Sequence, residues 1–365
     1  MTTRRLLRPG ALALAGITGL ALAGCGVAPG GSGESSSQAP DFKGCIVSDA
    51  GGFQDRSFNQ GAHDGLEAAE EHEGIEVEQA ESQSETDFEP NLASMVQRGC
   101  TLTVSVGSLL ADATGKAAAA DPDRHFAIVD DGSITADNVK PIVYNTAEAA
   151  FLAGYLAAGT SKTGRVGTYG GMDIPAVTVF MDGFADGVEH YNQKKRKDVK
   201  VLGWNKGSRK GTFLNSFQDS SRARTVTRSL VDDGADVVLP VAGEAAQGTA
   251  DAVTEANKDG GDDPVRLIWP DTDGYDTLDS GRQYLLTSVL KDVARSVEDV
   301  VTQAAGGSFD NTKYVGTLQN GGVGLAPYHD QQDEVGEDLD RQVQQLKQDI
   351  VDGRVTVQSR SAPKP

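Results

Sequence analysis

Acids and glycines recur in this chain directly after short β-branched runs. An acid at such a place accepts hydrogen bonds from a ligand, and a glycine lets the backbone come close to one. After Cys45–Ser48 comes Asp49-Ala50-Gly51-Gly52-Phe53-Gln54-Asp55-Arg56-Ser57-Phe58-Asn59, and after His125–Val129 comes Asp130-Asp131. Gly170-Gly171-Met172-Asp173 follows Arg165–Tyr169, Ala242-Gly243-Glu244 follows Val237–Val241, and Asp271-Thr272-Asp273-Gly274 follows Val265–Trp269. Taken singly, such an Asp caps the next helix and a Gly-Gly pair turns the chain. Five such loops on one edge would line a crevice with acceptor oxygens, the complement of a ligand rich in hydroxyl and amide donors. Sugars and nucleosides fit that description.

Catalytic readings are poorer. Asp130-Asp131 would suit a glycosidase, which needs two carboxylates, and a nucleoside or glycoside hydrolase is the enzyme alternative. His63, His72, His125, His190 and His329 lack the close pairing of zinc ligands, and His63 with Glu67 reads as a solvated helical face. No nucleophile-elbow, phosphate-loop or His-Glu-x-x-His pattern occurs. We expect no enzyme, no metal and no cofactor.

Other strand-like runs are Leu102–Val106, Pro141–Tyr144, Val199–Trp204 and Gln283–Ser288. Between the runs lie Ala-rich helical stretches, among them Ala147–Ala158, Ala176–Tyr191, Arg222–Asp232 and Ala245–Asn257. Strands alternating with helices predict parallel sheets covered on both faces, and in open sheets of that kind ligands bind beyond the carboxyl ends of the strands. Val335, Leu339, Val343, Leu346 and Ile350 step as one amphipathic helix, stopped near Gly353.

The chain has 365 residues, enough for two domains, and a net charge of −20. Such acidity repels nucleic acid and anionic lipid headgroups, so nucleic-acid binding is excluded. Arg4, Arg5 and Arg8 precede an apolar run from Ala11 to Ala23, the order of a secretory signal rather than a membrane span. Leu22-Ala23-Gly24-Cys25 resembles the bacterial lipobox, which implies cleavage before Cys25 and a diacylglycerol on its sulfur. Two acyl chains hold where one is marginal, each buried methylene contributing about 0.8 kcal/mol. Residues 1–24 are then a signal peptide and 25–40, rich in Gly, Ser and Pro, a flexible spacer. The remainder is expected outside the cytoplasm, lipid-anchored to a bacterial cell membrane. In that oxidising setting Cys45 and Cys100 form a candidate disulfide if their strands are neighbours; two buried free thiols are the alternative.

Four separated motifs carry a family resemblance: Asp49-x-Gly-Gly-x-x-Asp-x-Ser-Phe58-Asn59, Gly171-Met-Asp-Ile-Pro-x-Val-x-x-Phe180-x-x-Gly-Phe-x-x-Gly187, Gly234-Ala-Asp-Val-Val and Ser288-Val-x-Lys291. In this order, from about Cys45 to Gly353, the chain resembles the basic membrane protein family, the purine-nucleoside-receptor-like substrate-binding lipoproteins of ABC transporters. The resemblance implies a type I periplasmic-binding-protein fold, α/β in class, with two doubly wound parallel-sheet lobes joined by three hinge crossings. We place the crossings near Tyr144–Thr146, Asp273–Asp276 and Val315–Leu318. Lobe one is then 41–145 plus 274–315, lobe two 146–273 plus 316–350, and 351–365 a C-terminal tail.

The resemblance also implies a site. Phe58 would lie flat against a base, Asn59 and Asp49 would meet its polar edges, and Asp130 would face it. Asp271 and Lys291 would hold a ribose. From the residues alone, Phe58 has core as its lesser alternative and Lys291 a surface lysine, while Phe180 reads equally as a second wall or helix core. The chain departs from the family pattern at Leu239-Pro240, where an aromatic is common, and in the loop of Gly243 and Glu244, where Glu244 adds a carboxylate. A purine nucleoside is the favoured ligand and a sugar the alternative. The partner implied is a membrane permease, and a monomer is expected.

Overall fold

The computed structural model describes residues 42–258 and 263–364. The expected signal peptide (1–24) and spacer (25–40), with Cys25, lie outside the described residues. No helix among those described is long and apolar enough to cross a membrane.

The first lobe winds β1 (Lys43–Val47), α1 (Phe58–Glu73), β2 (Glu76–Ala80), α2 (Phe88–Gln97), β3 (Leu102–Val106), α3 (Ala111–Ala120), β4 (His125–Val129) and β5 (Val139–Tyr144). The chain then crosses into α4 (Thr146–Thr160), β6 (Arg165–Gly170), α5 (Pro175–Lys195), β7 (Lys200–Leu202) and a short antiparallel ribbon, β8 (Trp204–Asn205) with β9 (Lys210–Gly211). The second lobe continues through α6 (Ser220–Asp232), β10 (Val237–Val241), α7 (Gln247–Ala256), β11 (Arg266–Asp271), α8 (Gly274–Thr277) and β12 (Leu285–Lys291). Next come α9 (Val293–Ala305), β13 (Tyr314–Gly316), β14 (Val323–Leu325) and α10 (Gln332–Val351).

The strands form two six-stranded sheets, ordered β13-β5-β4-β3-β1-β2 and β14-β12-β11-β10-β6-β7. Both repeat one doubly wound scheme, in which the first strand lies between the second and the third and the strand order reverses beside it. The central strands are buried along their whole length; Leu-Thr-Val-Ser-Val of β3 shows no exposed residue. A parallel sheet sandwiched by helices requires such strands, and it is why they read as continuous apolar runs.

Sheet membership moves one expected boundary. β12 pairs with β11 in the second sheet, so 274–291 belong with lobe two and the second crossing falls at Asp292, not at Asp273–Asp276. At the expected crossing, Asp273 accepts from Tyr275 N and caps α8 within the second lobe. The sequence reading also lacks β2, β13 and β14. β2 is a polar edge strand, and β14 is antiparallel to β12. Val199–Trp204 is broken at Gly203, whose φ is +82°, and the C-terminal amphipathic helix is interrupted at Gly336, φ +69°.

The three crossings bind one another. Asn145 N donates to Gly316 O at 2.8 Å, Asp292 N donates to Gly322 O at 3.0 Å, and Lys291 pairs with Val323. Small residues let helices approach closely: a Cβ on Gly154 of α4 would stand 2.0 Å from Phe184 O of α5, and one on Gly187 equally close to Phe151 O. The tail is tied down, with Ser359 Oγ donating to Asp182 at 2.6 Å and Lys313 Nζ donating to Lys364 O at 2.6 Å.

β1 and β3 are neighbours, and the sulfurs of Cys45 and Cys100 are bonded, their Cα atoms 5.9 Å apart. The bridge closes a loop of 55 residues, which in the chain-entropy account contributes about 4 kcal/mol. Reduction, or Cys45→Ala with Cys100→Ala, should lower the unfolding free energy by that order, seen as a lower urea midpoint. A midpoint unchanged by reductant would show that the bond contributes nothing.

Candidate functional site

The reversal of strand order places four strand ends at the cleft: β1 and β3 on one side, β6 and β10 on the other. Asp49 follows β1. Its Oδ1 accepts from Gly51 N at 2.9 Å and from Asn59 Nδ2 at 2.8 Å, and burial pushes its pKa up. Asp55 clamps the start of α1, accepting from the backbone N–H groups of Ser57, Asn59 and Gln60 and from Asn59 Nδ2. Burial drives its pKa to about 7 even against the three backbone donors. The clamp fixes Phe58 and Asn59 on the first turn of α1. Asn59 Nδ2 is thereby spent within the protein, while its buried Oδ1 has no partner among the described residues and remains available as an acceptor.

At the crossings, Lys291 closes β12 and lies between two acids. Its Nζ is 2.7 Å from Asp130 Oδ2 and 3.2 Å from Asp271 Oδ1. The three side chains are 3 %, 10 % and 9 % exposed, so water hardly screens them. Burial opposes the ammonium, but Asp130 and Asp271 together outweigh it and hold the Lys291 pKa above its ordinary value. The charge also lies 4.7 Å from the centroid of Phe58, 5.2 Å from Phe180 and 5.6 Å from Tyr144, within cation–π range. Both acids are non-glycine residues at positive φ, +66° and +69°. Such backbone persists where the surroundings over-determine it, and Asp tolerates it better than most residues.

Asp130 belongs to the first lobe and Lys291 to the second, so their ion pair spans the cleft. Other contacts join the same edges: Ser57 Oγ donates to Asp271 Oδ2 at 3.0 Å, Thr272 Oγ1 to Arg56 O at 3.0 Å, and Gln218 Nε2 to Ala50 O. Arg56 pairs with Asp279. The cleft is closed around a cavity of about 60 Å³. Small-molecule sites span roughly 300–1,000 Å³, so a ligand enters when the lobes part.

All nine sequence-derived ligand residues, Asp49, Phe58, Asn59, Asp130, Phe180, Gly243, Glu244, Asp271 and Lys291, line this one cleft. Phe180 is both wall and helix core, 1 % exposed with Lys291 over its ring. Lys291 is not a surface lysine. Asp131 and Asp173 stay outside: Asp131 accepts from Ser133, so the adjacent Asp130 and Asp131 do not converge on the cleft.

The sequence reading missed Ser108 and Leu109 after β3, Ile174 and Val177 at the start of α5, and Phe217. Phe217 packs over Gly171 and Gly243, where Cβ atoms would meet its Cδ1 at 2.5 and 3.7 Å. It lies in a loop entering α6 rather than after a sheet strand; its one signal is a lone aromatic in Asn215-Ser216-Phe217-Gln218. Among the described residues, His63, Asp64 and Glu67 bring ligand atoms within 4.8 Å of one another, but on a solvated face of α1 with His63 Nε2 already engaged by Gln79.

The profile of the Bmp family, described as ABC transporter substrate-binding protein PnrA-like, matches residues 42–361. A CD4+ T-cell-stimulating antigen of Listeria monocytogenes is 33% identical over 333 residues, covering 87% of this chain and 88% of its own. An ABC transporter nucleoside-binding protein BmpA of Lactococcus lactis is 31% identical over 369 residues, 98% of this chain and 99% of its own. A crystal structure of an ABC transporter solute-binding protein from Aeropyrum pernix superposes with a TM-score of 0.77 at 26% identity, covering 87% of this chain and 94% of that one. The family is one of substrate-binding proteins rather than enzymes, which sets the hydrolase alternative aside. With its two wound lobes and ligand cleft, the chain belongs to the Bmp family of ABC transporter substrate-binding proteins.

Proposed function

We propose that the chain is a lipid-anchored extracytoplasmic receptor, acting as a monomer, that closes on a nucleoside and delivers it to a membrane permease. The observation that carries this reading is the pairing of Lys291 with one acid from each lobe, against the face of Phe58. Because Asp130 shares Lys291 with Asp271, we assign both acids to the ribose rather than Asp130 to the base: vicinal hydroxyls meet carboxylates held by an ammonium, and charge-assisted bonds of that kind are the strong ones. Phe58, Phe180 and Phe217, with Ile174 and Val177, give walls apolar enough for a planar base. A bare sugar would leave those walls against water, which favours the nucleoside over the sugar alternative. Acceptors on Asp49 and Asn59 then read the base edge. Ligand contacts to Asp130 and Asp271 join the two lobes, so binding favours closure as hinge motion about the three crossings. Anchoring rests on the lipobox-like Leu22-Ala23-Gly24-Cys25.

The test is thermal unfolding with purine and pyrimidine nucleosides, free bases and pentoses. A ligand that binds only the folded chain stabilises it by RT ln(1 + [L]/Kd), about 2.7 kcal/mol at a hundredfold excess over Kd. Stabilisation by at least one nucleoside, larger than by its base or its sugar, is expected. Stabilisation by pentose with none by any nucleoside would overturn the reading in favour of a sugar receptor.

A further inference from the structure

Of the charged side chains in the cleft, Glu244 is the one without a visible counterpart. It opens the 3₁₀ turn Gly243–Ala246 after β10 and lines the cleft beside Phe217. Lys291, the one ammonium among the lining residues, is held by Asp130 and Asp271. Asp49 has Gly51 N and Asn59 Nδ2, and Asp55 has four N–H donors. The Glu244 carboxylate is half-buried, and no donor among the described residues reaches it; burial alone acts on its titration. A carboxylate in that position is an acceptor only, with a desolvation cost that nothing in the protein offsets. Hydroxyls of a ribose have Asp130 and Asp271 at the crossings to address. A donor for Glu244 must therefore come from the other part of the ligand.

We infer that Glu244 selects nucleosides whose base carries an exocyclic amino group. The inference rests on the nucleoside reading and goes beyond it in naming the subclass. A base amine provides N–H groups without a lone pair directed at the carboxylate, whereas a ring oxo group or a bare C–H provides repulsion or nothing; the lactam ring N–H is shared by guanosine and inosine and so cancels between them. A hydrogen bond to a charged group is worth about tenfold or more in affinity.

The experiment measures Kd by titration calorimetry for two matched pairs that differ only by the amine: guanosine against inosine, and adenosine against purine riboside. The wild-type chain should prefer the amine-bearing member of at least one pair by about tenfold or more. In Glu244→Gln and Glu244→Ala that ratio should collapse to within about twofold, while the amine-free partner binds within about threefold of wild type and the ligand-free melting temperature is unchanged. An unchanged ratio in both variants, or no preference in either pair, overturns the inference with the nucleoside reading intact. If none of the four nucleosides binds the wild-type chain, the nucleoside reading falls, and this one with it.

Discussion

A Lys291→Met chain should bind no nucleoside and should be less stable by about 3–5 kcal/mol, the usual cost of removing one partner from a buried ion pair. The side chain is 3 % exposed and holds an acid on each side, so the loss leaves two buried carboxylates facing one space with no cation between them. Burial already pushes the Asp130 pKa up from 3.8, and Lys291 is what opposes it. Without the ammonium the folded state retains its proton to higher pH than the unfolded chain does. Above pH 3.8 the folded variant therefore holds more protons, and its stability falls as pH rises toward neutrality. Unfolding in urea at pH 5 and pH 7.5 should show the deficit growing with pH, and Asp130→Asn in the same chain should recover part of it. A variant with wild-type stability at both values would show that the three charges are not coupled.

The same ammonium is one of the contacts that join the lobes in this structure. Asp130 comes from the first sheet, Asp271 and Lys291 from the second, and Lys291 is the last residue before the second crossing. A ligand hydroxyl that takes over one carboxylate would exchange a protein contact for a ligand contact rather than create closure from nothing.

Much of this site was legible because parallel strands advertise themselves. β1, β3, β4, β6, β10 and β11 are buried along nearly all their length, and topology sets their carboxyl ends toward the cleft edge. Asp49, Asp130, Gly243, Glu244 and Asp271 could therefore be placed by counting to the end of a run. Lys291 was placed by the resemblance, since Leu285–Lys291 reads on past its apolar run and its lysine has no neighbour in sequence to declare it buried. Phe217 escaped because its loop precedes a helix and owes its position to packing over Gly171 and Gly243, a long-range contact without local signal. β2 and β13 escaped for a related reason: Glu76–Ala80 is an edge strand with little burial, and Tyr314–Gly316 is held by pairing with β5 rather than by composition. The second crossing, placed with the resemblance at Asp273–Asp276, moves to Asp292 because only the pairing of β12 with β11 decides which lobe that segment joins.

Asp271→Asn separates the charge of that residue from its backbone. At φ +69° the position suits Asn nearly as well as Asp, and the amide oxygen can still accept from Ser57 Oγ, now 3.0 Å from Oδ2. Lys291 keeps Asp130. Stability should therefore change little, while nucleoside affinity falls by about a hundredfold, the equivalent of one or two charge-assisted hydrogen bonds at about 1.5–3 kcal/mol each. Asp271→Ala should lose the same affinity and in addition about 1–2 kcal/mol of stability, because a Cβ without a polar tip is strained in left-handed backbone. Paired titration and urea unfolding of the two variants distinguish the effects: affinity tracks the missing carboxylate, stability tracks the strained backbone. Asparagine binding within threefold of wild type would remove the Asp271 charge from ligand recognition, and leave the residue as a scaffold for Ser57 alone.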